Sequence, residues 1–440
     1  MTISINGGFL YVEDAMKKIG KEVTLRGWVY RKRESGGIIF VIIRDRTGIM
    51  QIAVKKDSVN ADSWKDAQDT TIESSIIVKG VVKQDQRAPT GFELQASSFK
   101  NVHVAEPFPI TEYQSTELLL DKRHLWLRSQ RMTNIMKARS LIFRYARKFL
   151  DSKGFYEITP PLITTAGGET GADLFEVKYF DQKAYLTESS QLYAEAMVPV
   201  LEKVYSFAPS YRAEKSRTTK HLAEYWHLEP EMAYYNNDKS MKLQERLVSY
   251  IANKLAENDD LLKALGVNAD ELKKIKPPFK RIKYEEAIEI INSKGGNLKW
   301  GDDFGVPEEK MLTEDEDKPI FVYAWPKELK AFYARVDPKD PRVVLGADLQ
   351  APHGHGEIIG GTEREWQMDK LMERIHEVEQ AKGVKFNLEN YQWWLDLRRY
   401  GSVPHAGFGM GMERVIKWLL NLDHIRDAIP FPRMINRLAP

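Results

Sequence analysis

Residues 20–105 form a predicted succession of short strands separated by turn residues. The stretch 23–30 alternates apolar and other residues, which is the pattern of a strand with one buried face. Gly36-Gly37 and Thr47-Gly48 mark two of the turns. The predicted strands are, in chain order, 23–30, 38–44, 49–54, 75–82 and 91–104, with a helix over 61–70 before the fourth. This order is typical of a small closed barrel.

A barrel with this strand order is of the OB type, which exposes a sheet face where unpaired bases lie against aromatic and basic side chains. Phe40 falls in the middle of the second strand and comes after the basic run Arg31-Lys32-Arg33. Gln51 and Glu93 supply hydrogen-bonding groups on neighbouring strands. Phe40 can therefore stack on a base, and the other two can bind base edges. The alternative places Phe40 in the core and the basic run in a solvated turn.

Composition narrows the class of protein. The chain has 440 residues, enough for two or three domains, and a net charge of only +2, so any nucleic-acid contact must come from local patches. It has no cysteine, which excludes disulfides and thiolate zinc sites and is typical of a reducing cytoplasm. Neither a signal peptide nor a membrane span is predicted. His353-Gly354-His355 is interpreted as a glycine-rich loop, with a metal site as the minor alternative.

Beyond the barrel, the pattern indicates a hinge and a larger domain. Residues 106–130 are rich in proline and polar residues and then basic, which suits a hinge. The predicted domains are therefore 1–105, the hinge, and 131–440. The clearest helices of the last domain are predicted at 138–151, 242–258, 284–293, 366–382 and 411–420.

The segment 212–226 carries the groups that a nucleoside triphosphate requires. Arg212 and Glu214 are two residues apart and are predicted on one face of a strand. Tyr225-Trp226 begins a predicted return strand, and the loop between is cationic, through Lys215, Arg217 and Lys220. An antiparallel hairpin would combine cations for phosphates with a flat ring for a base. An exposed, salt-bridged hairpin is the alternative.

A glycine-rich strand followed by a helix is predicted near the C-terminal end. Gly407, Gly409 and Gly411 alternate along the strand, so that a ligand can lie flat against its backbone. Arg414 then falls in the first helical turn, where an anion meets both a guanidinium and a helix N-terminus. Arg414 can therefore bind the same polyphosphate as Arg212.

These two segments, with the stretch 155–162 that carries Pro160, resemble motifs two, three and one of class II aminoacyl-tRNA synthetases. The barrel is similar to the anticodon-binding domain of the subgroup for aspartate, asparagine and lysine, in its compact archaeal form. The resemblance implies an α+β fold, in which an OB-fold barrel precedes a class II catalytic domain built on an antiparallel sheet flanked by helices. It also implies a homodimer through motif one, around Pro160.

The resemblance implies that ATP and Mg²⁺ are bound. By the matching positions, Arg212 holds the α-phosphate, Glu214 the adenine side, His221 the phosphate tail and Arg414 the γ-phosphate, while Tyr225 stacks on adenine. Arg212, Arg414 and Glu357 are the implied catalytic residues, with Mg²⁺ on Asp348 and Glu357. The implied anticodon-binding residues are Arg33, Phe40, Gln51 and Glu93. Positioning and charge neutralisation then carry the reaction, without a protein nucleophile.

The amino acid is indicated by charge, because aspartate and asparagine are nearly isosteric. A buried carboxylate needs cations, and aspartate enzymes of this family supply an arginine and a lysine. Arg364 matches the arginine, but Ala194 stands at the lysine position and Glu195 follows it. We therefore expect asparagine as the substrate, ligated to its tRNA. The alternative is an aspartate–tRNA ligase, including one that does not discriminate between the two tRNAs.

The remaining implied contacts to the amino acid lie in two stretches. Glu169 and Gln191 match residues that hold the substrate's amino group, and Ser189 belongs to the same stretch as Gln191. Two other functions are alternatives to the ligase. A paralogue that makes free asparagine would lack the barrel, and an RNA-binding protein with a degenerate synthetase fold would not need Arg212, Glu357 and Arg414.

Overall fold

The computed structural model describes residues 8–111, 113–165, 174–215 and 218–440. The chain divides into two compact units, Met1–Thr116 and Glu117–Pro440. Among the described residues, no helix has the length and apolar character needed to cross a membrane.

The first unit is a closed five-stranded barrel with strand order β1-β2-β3-β5-β4, which confirms the predicted OB fold. Its elements are α1 (Val12–Met16), β1 (Glu22–Ser35), β2 (Ile38–Arg44), β3 (Ile49–Lys55), α2 (Ala61–Asp69), β4 (Ser75–Gln84) and β5 (Phe92–His103). Alternate residues of β2 enter the core, as Ile39, Val41 and Ile43 are fully buried. Phe40 therefore points to the outer face, and its predicted alternative as a core residue is wrong.

The second unit is built on a large sheet with helices around it. Its strands are β6 (Tyr156–Ile158), β7 (Ile163–Thr164), β8 (Glu176–Tyr179), β9 (Gln182–Leu186), β10 (Lys203–Tyr211), β11 (Glu224–Ala233), β12 (Lys280–Lys283), β13 (Ile320–Tyr323), β14 (Val336–Asp337), β15 (Asp340–Val344), β16 (Gly346–Ala351), β17 (Gly356–Arg364) and β18 (His405–Gly411). Its helices are α3 (Thr116–Asp121), α4 (Arg123–Trp126), α5 (Gln130–Ser152), α6 (Gln191–Leu201), α7 (Asn237–Ala256), α8 (Asp259–Leu265), α9 (Ala269–Lys273), α10 (Tyr284–Ser293), α11 (Val306–Thr313), α12 (Met368–Lys382), α13 (Gln392–Arg399) and α14 (Met412–Leu419).

The main sheet has eight strands in the order β12-β13-β16-β17-β18-β11-β10-β6. Its central pairs are antiparallel, as predicted, but the pairs at its two edges, β12 with β13 and β10 with β6, are parallel. The sheet is therefore mixed. Parallel neighbours need a crossover, and helices α10 and α11 lie between β12 and β13 in the chain, as α6 lies between β6 and β10.

Two helices start earlier than predicted, because a polar N-cap residue lies before the predicted start of each. Helix α5 starts at Gln130 because the Ser129 side chain accepts a hydrogen bond from the amide of Met132. Helix α7 is likewise capped by Asn236. Within the predicted hinge 106–130, the part from Thr116 onward is helical and packs in the second unit. There Arg123 is fully buried and donates to three backbone carbonyls, those of Arg426, Ile429 and Pro430.

Candidate active site

A cleft with two connected halves lies on one face of the main sheet. Four residues line both halves, namely Arg212, His227, Glu357 and Gly409. They come from the end of β10 and from β11, β17 and β18, which are neighbours in the sheet. We call the half that contains Tyr225 and Arg414 the nucleotide half, and the half that contains Gln191 and Arg364 the amino-acid half.

The face of β11 gives the cleft its floor. Tyr225, His227, Glu229 and Glu231 are spaced two residues apart, so their side chains leave the same face of the strand. Tyr225 lines the nucleotide half, Glu229 and Glu231 line the amino-acid half, and His227 lies between them. One strand therefore contributes to both halves of the cleft.

The hairpin predicted at 212–226 is present, but its strands end earlier than predicted. The register of β10 and β11 closes at Tyr211 and Glu224, so Arg212 and Glu214 lie in the connecting loop and not on a strand. Beyond this register the Arg212 amide still donates to the Ala223 carbonyl, and the Ala223 amide donates to the Arg433 carbonyl of the C-terminal segment. Arg212 and Glu214 still meet, with 3.7 Å between guanidinium and carboxylate, and the Arg212 guanidinium lies 5.9 Å from the Tyr225 ring centre.

Two basic groups line the outer end of the nucleotide half. Arg414 lies in the first turn of α14, as predicted, and its guanidinium donates to the backbone carbonyl of Glu357 at 3.2 Å. His221 lies beside Thr218, with 2.5 Å between the hydroxyl and Nδ1. Burial and the nearby positive charge of Arg414 lower the pKa of His221 below its usual value. The ring is therefore neutral at neutral pH and acts as a hydrogen-bonding group.

Two predicted metal ligands face the same spot on the sheet. A Cβ added at Gly360 would lie 3.3 Å from an oxygen of Asp348 and 3.3 Å from an oxygen of Glu357. The Lys330 ammonium pairs with Asp348 at 2.5 Å, a contact that the sequence did not indicate. Burial, with Glu357 adding to it and Lys330 opposing it, raises the pKa of Asp348 to about 7. Two carboxylate oxygens with room above glycine fit Mg²⁺, which takes one or two carboxylates and substrate phosphates.

The histidine segment does not form a comparable site. Within the described ranges, no group of three or more potential metal ligands was found. His355 is instead half-buried, and its Nδ1 lies 3.5 Å from the Lys417 ammonium. Burial, together with Lys417, lowers the pKa of His355 to about 4.

The amino-acid half contains a buried ion pair between Arg364 and Glu231. Two hydrogen bonds of 3.0 Å join the guanidinium to the carboxylate, and a third at 2.8 Å reaches the Thr362 hydroxyl. Both charged side chains are almost completely buried. Arg364 is the cation that the sequence predicted, whereas Glu231 was missed. Its position on the same strand face as Glu229 is the signal that could have found it.

Glu229 is the second acid of this half. It accepts hydrogen bonds from the hydroxyls of Ser189 and Ser190 and from the Ser190 amide, the last at 2.9 Å. His227 lies 3.3 Å from its carboxylate. Burial raises the pKa of Glu229, but His227 and the serine hydrogen bonds outweigh it, so the net shift is downward. Glu229 is therefore an anion at neutral pH.

The stretch 188–195 contributes to the cleft differently from the prediction. Ser189 and Gln191 line the amino-acid half, but Ala194 and Glu195 do not, and Ala194 is fully buried. Glu195 lies behind Gln191, whose amide donates to it at 3.0 Å. Its charge is balanced by Arg398 at 2.5 Å and by His405 at 3.1 Å.

The anion that meets Arg364 is therefore Glu231, and Glu195 acts only at longer range. Ala194 and Glu195 follow Gln191 by three and four residues, so they lie on the same face of α6 but one turn further along, where they are buried behind Gln191. Glu169 lies outside the described residues.

The glycines of β18 make room for side chains of the adjacent strand. A Cβ at Gly407 would overlap the Glu231 carboxylate and come within 2.6 Å of the Arg364 guanidinium, and one at Gly409 would overlap the His227 ring. Gly409 also lines both halves of the cleft. The sequence predicted that a ligand approaches the backbone of β18 closely. At Gly407, the groups that lie against the backbone are instead the side chains of the Arg364–Glu231 ion pair.

The C-terminal segment supplies cleft residues that the sequence did not indicate. Met434 and Ile435 line the nucleotide half, next to the predicted base-binding residue Tyr225. The Arg437 guanidinium, close by in the chain, pairs with Glu117 at 3.0 Å and Asp121 at 2.7 Å, both on α3. No sequence motif marks such apolar lining residues.

The four predicted anticodon-binding residues share the outer face of the barrel. Arg33 is the cross-strand partner of Phe40, and its guanidinium lies 4.6 Å from the ring centre. Gln51 is the partner of Glu93 on the neighbouring strand, and its amide donates to that carboxylate at 2.8 Å. The face thus offers one aromatic platform with a cation, whereas the polar pair beside it is almost completely buried.

The OB barrel is followed by a mixed sheet whose cleft carries three arginines, paired carboxylates and an aromatic ring on its floor. This combination defines a class II aminoacyl-tRNA synthetase. Residues 115–435 match the family described as "tRNA synthetases class II (D, K and N)", and residues 23–102 match the "OB-fold nucleic acid binding domain". The chain belongs to this synthetase family.

Relatives and solved structures agree with the family. The chain is 50% identical to the asparagine–tRNA ligase of Thermococcus kodakarensis over 427 residues, 96% of each chain. It is similar to the crystal structure of Pyrococcus horikoshii asparaginyl-tRNA synthetase complexed with asparaginyl-adenylate, with a TM-score of 0.94 and 47% identity over 98% of this chain and 99% of that one. The aspartyl-tRNA synthetase of Entamoeba histolytica is 26% identical, with a TM-score of 0.83 over 99% and 94% of the two chains.

Proposed function

We propose that the chain is an asparagine–tRNA ligase, which activates L-asparagine with ATP and transfers it to the 3′ end of its tRNA. The observation that carries the choice of amino acid is the Arg364–Glu231 ion pair in the amino-acid half of the cleft. Relatives that are asparagine–tRNA ligases, over nearly the whole chain, support the same substrate.

The ion pair favours a neutral side chain. Arg364 is already neutralised by Glu231, and Glu229 adds a second anion to the same half. A substrate carboxylate would have to displace or repel these acids in a buried site, which is costly. An amide can instead accept from a cation through its oxygen and donate to a carboxylate through its nitrogen. The pocket therefore distinguishes the two isosteres by charge.

Adenylate formation follows from the groups around the junction of the two halves. The asparagine carboxylate attacks the α-phosphorus of ATP and pyrophosphate leaves, so two anions must be brought together. Arg212 lines both halves and can neutralise charge at the reacting phosphate, while Arg414 and His221 hold the phosphate tail. Tyr225 offers its ring to adenine. The ribose hydroxyl of the tRNA terminus then attacks the adenylate.

Mg²⁺ belongs to this proposal through Asp348 and Glu357. Their oxygens face one spot above Gly360, and Glu357 lines both halves of the cleft. A bound Mg²⁺ would supply charge neutralisation at the phosphates. The Lys330 ammonium pairs with the Asp348 carboxylate, balances its charge and holds it in place.

The tRNA would be identified through the outer barrel face, with Phe40 as a stacking platform beside Arg33 and the Gln51–Glu93 pair. We further propose that the protein forms a homodimer through motif one around Pro160, where Tyr156 and Ile163 are exposed apolar side chains. The absence of cysteine supports a cytoplasmic location.

ATP–pyrophosphate exchange with each amino acid tests the assignment. We expect strong exchange with asparagine and weak exchange with aspartate. Exchange with aspartate at an equal or higher kcat/KM would reject the asparagine assignment and support the aspartate–tRNA ligase. No exchange with either amino acid would favour an RNA-binding protein that has lost the activity.

A further inference from the structure

A buried ion pair outside the groups discussed so far joins the nucleotide half to helix α11. The Lys220 ammonium lies 2.7 Å from the Glu309 carboxylate, and the two side chains are only 7% and 12% exposed. Lys220 belongs to the loop before β11 and lines the nucleotide half, whereas Glu309 belongs to α11 and lines the amino-acid half. The pair therefore connects the loop before β11 to helix α11 at the cleft.

The same carboxylate also contacts the backbone of a predicted metal ligand. Glu309 receives Lys220 on Oε2, and its other oxygen, Oε1, accepts a hydrogen bond from the amide of Glu357 at 3.3 Å. One acidic side chain thus links a cation of the nucleotide half to the residue that carries a metal-binding carboxylate.

Gly356 provides the space for this arrangement. A Cβ at Gly356 would overlap both the Lys220 ammonium and the Glu309 carboxylate, and its φ of +78° is one that glycine adopts without strain. The ion pair therefore lies directly on the backbone that precedes Glu357. This close approach fixes the height of Lys220 above the sheet.

Besides Glu309, the surroundings of Lys220 contain several cations and one further acid, Glu357, whose pKa the charge of Lys220 helps to lower. The positive charges of Lys220 and Arg414 both act on His221, and Lys220 also contributes to lowering the pKa of Lys417. A buried ammonium among cations is unstable unless an acid balances it. Glu309 supplies that acid from the side opposite to the nucleotide half.

We propose that Glu309 is a positioning residue for nucleotide binding. It holds the Lys220 ammonium and the Glu357 backbone at a fixed distance from each other. The phosphates of the nucleotide can then contact the Lys220 ammonium and the metal held by the Glu357 carboxylate at the same time. The inference rests on the proposed function for the identity of the nucleotide. It assigns to α11 a role in binding ATP, although no residue of α11 belongs to the three motifs.

The test uses Glu309→Gln and Lys220→Met in the full chain. Glutamine keeps an oxygen for the Glu357 amide but loses the charge. We expect each variant to raise the KM for ATP roughly 10-fold, the size expected for the loss of one charged hydrogen bond. The Mg²⁺ concentration for half-maximal exchange should rise as well, with the KM for asparagine unchanged. The KM for ATP of the double variant should be no higher than that of the more impaired single variant, because both substitutions remove the same interaction.

Lys280→Met is the matched control, because it removes an exposed ion pair of 2.6 Å with Glu316 in the same part of the fold. It should leave the KM for ATP unchanged. Additive effects in the double variant, or equal changes in the KM of ATP and asparagine, would show a merely structural role and overturn the inference. So would an unchanged KM for ATP and an unchanged Mg²⁺ dependence.

Calorimetric binding of ATP with Mg²⁺, in the absence of any amino acid, separates this inference from the substrate assignment. A wrong amino acid would abolish asparagine-dependent exchange but leave the difference in ATP affinity between the native chain and Glu309→Gln. The proposal requires Lys220→Met to lose ATP affinity. If Glu309→Gln does not fold, an unchanged ATP affinity of Lys220→Met would therefore still overturn the proposal.

Discussion

Arg364 and Glu231 are joined by two parallel hydrogen bonds of 3.0 Å in the amino-acid half of the cleft. Burial opposes the charge of Arg364, but Glu231 outweighs it and keeps the pKa of Arg364 above its usual value. The guanidinium therefore stays charged, and the Glu231 carboxylate supplies the opposite charge. A neutral side chain can share this pair, whereas a second carboxylate competes with Glu231 for it.

We predict that Glu231→Gln reverses part of the amino-acid preference. Arg364 then lacks its balancing charge, so a substrate carboxylate can take that place. The kcat/KM for asparagine should fall roughly 100-fold, or about 2.7 kcal/mol, while that for aspartate rises relative to it. ATP–pyrophosphate exchange with both amino acids measures the ratio.

Glu195→Gln is the comparison for this variant. Glu195 is equally buried but pairs with Arg398 and His405 behind the cleft. We expect a lower melting temperature with little change in the ratio of the two amino acids. A larger change in the ratio for Glu195→Gln than for Glu231→Gln would return the selectivity to the position predicted from the sequence.

We predict that Tyr225→Ala weakens ATP binding. Loss of a stacking ring costs about 1–3 kcal/mol per base, so the KM for ATP should rise roughly 10-fold. Tyr225→Phe keeps the ring and serves as the control, with a KM for ATP within about twofold of the native value. Equal effects of the two substitutions would mean that the hydroxyl, and not the ring, is required.

We predict that Phe40→Ala impairs charging of the tRNA and not activation of the amino acid. The ring lies on the outer face of the barrel, beside Arg33, so its loss should raise the KM for tRNA roughly 10-fold. Pyrophosphate exchange without tRNA should be unchanged. Tyr11→Ala is the control, because Arg46 lies 4.0 Å from that ring in a similar contact elsewhere on the barrel. Loss of exchange activity in Phe40→Ala would indicate a structural role instead.

We predict that Arg437→Gln raises the KM for ATP about twofold to fivefold, because its two ion pairs with α3 are partly exposed and worth up to about 1 kcal/mol together. These pairs hold the C-terminal segment, whose Met434 and Ile435 line the nucleotide half. The KM for asparagine should stay constant. Arg342→Gln, which loses an exposed pair with Asp340, is the control. Equal shifts for both substrates would exclude a role limited to the nucleotide half.

Several features could be predicted from local sequence alone. The strands of the barrel and helix α10 follow from alternation and from helical periodicity, which depend on near neighbours, whereas the face of Phe40 was left open. The position of Arg414 also follows from local sequence. The glycine-rich strand and the helix start that follows it place Arg414 in the first helical turn, independently of contacts with distant parts of the chain. Arg212 was assigned correctly to the cleft although its strand ends one residue earlier.

Partners that are distant in the chain could not be predicted in this way. Periodicity decides on which face of a strand a side chain lies but not which charge it meets there. The sequence alone determined that this chain has an OB barrel and a synthetase domain, and it predicted Arg364 as the arginine for the amino acid. Only the tertiary structure decided that Glu231 balances Arg364, that Arg398 neutralises Glu195 and that Glu309 holds Lys220, because each pair is made by strands and helices that come together when the sheet is assembled.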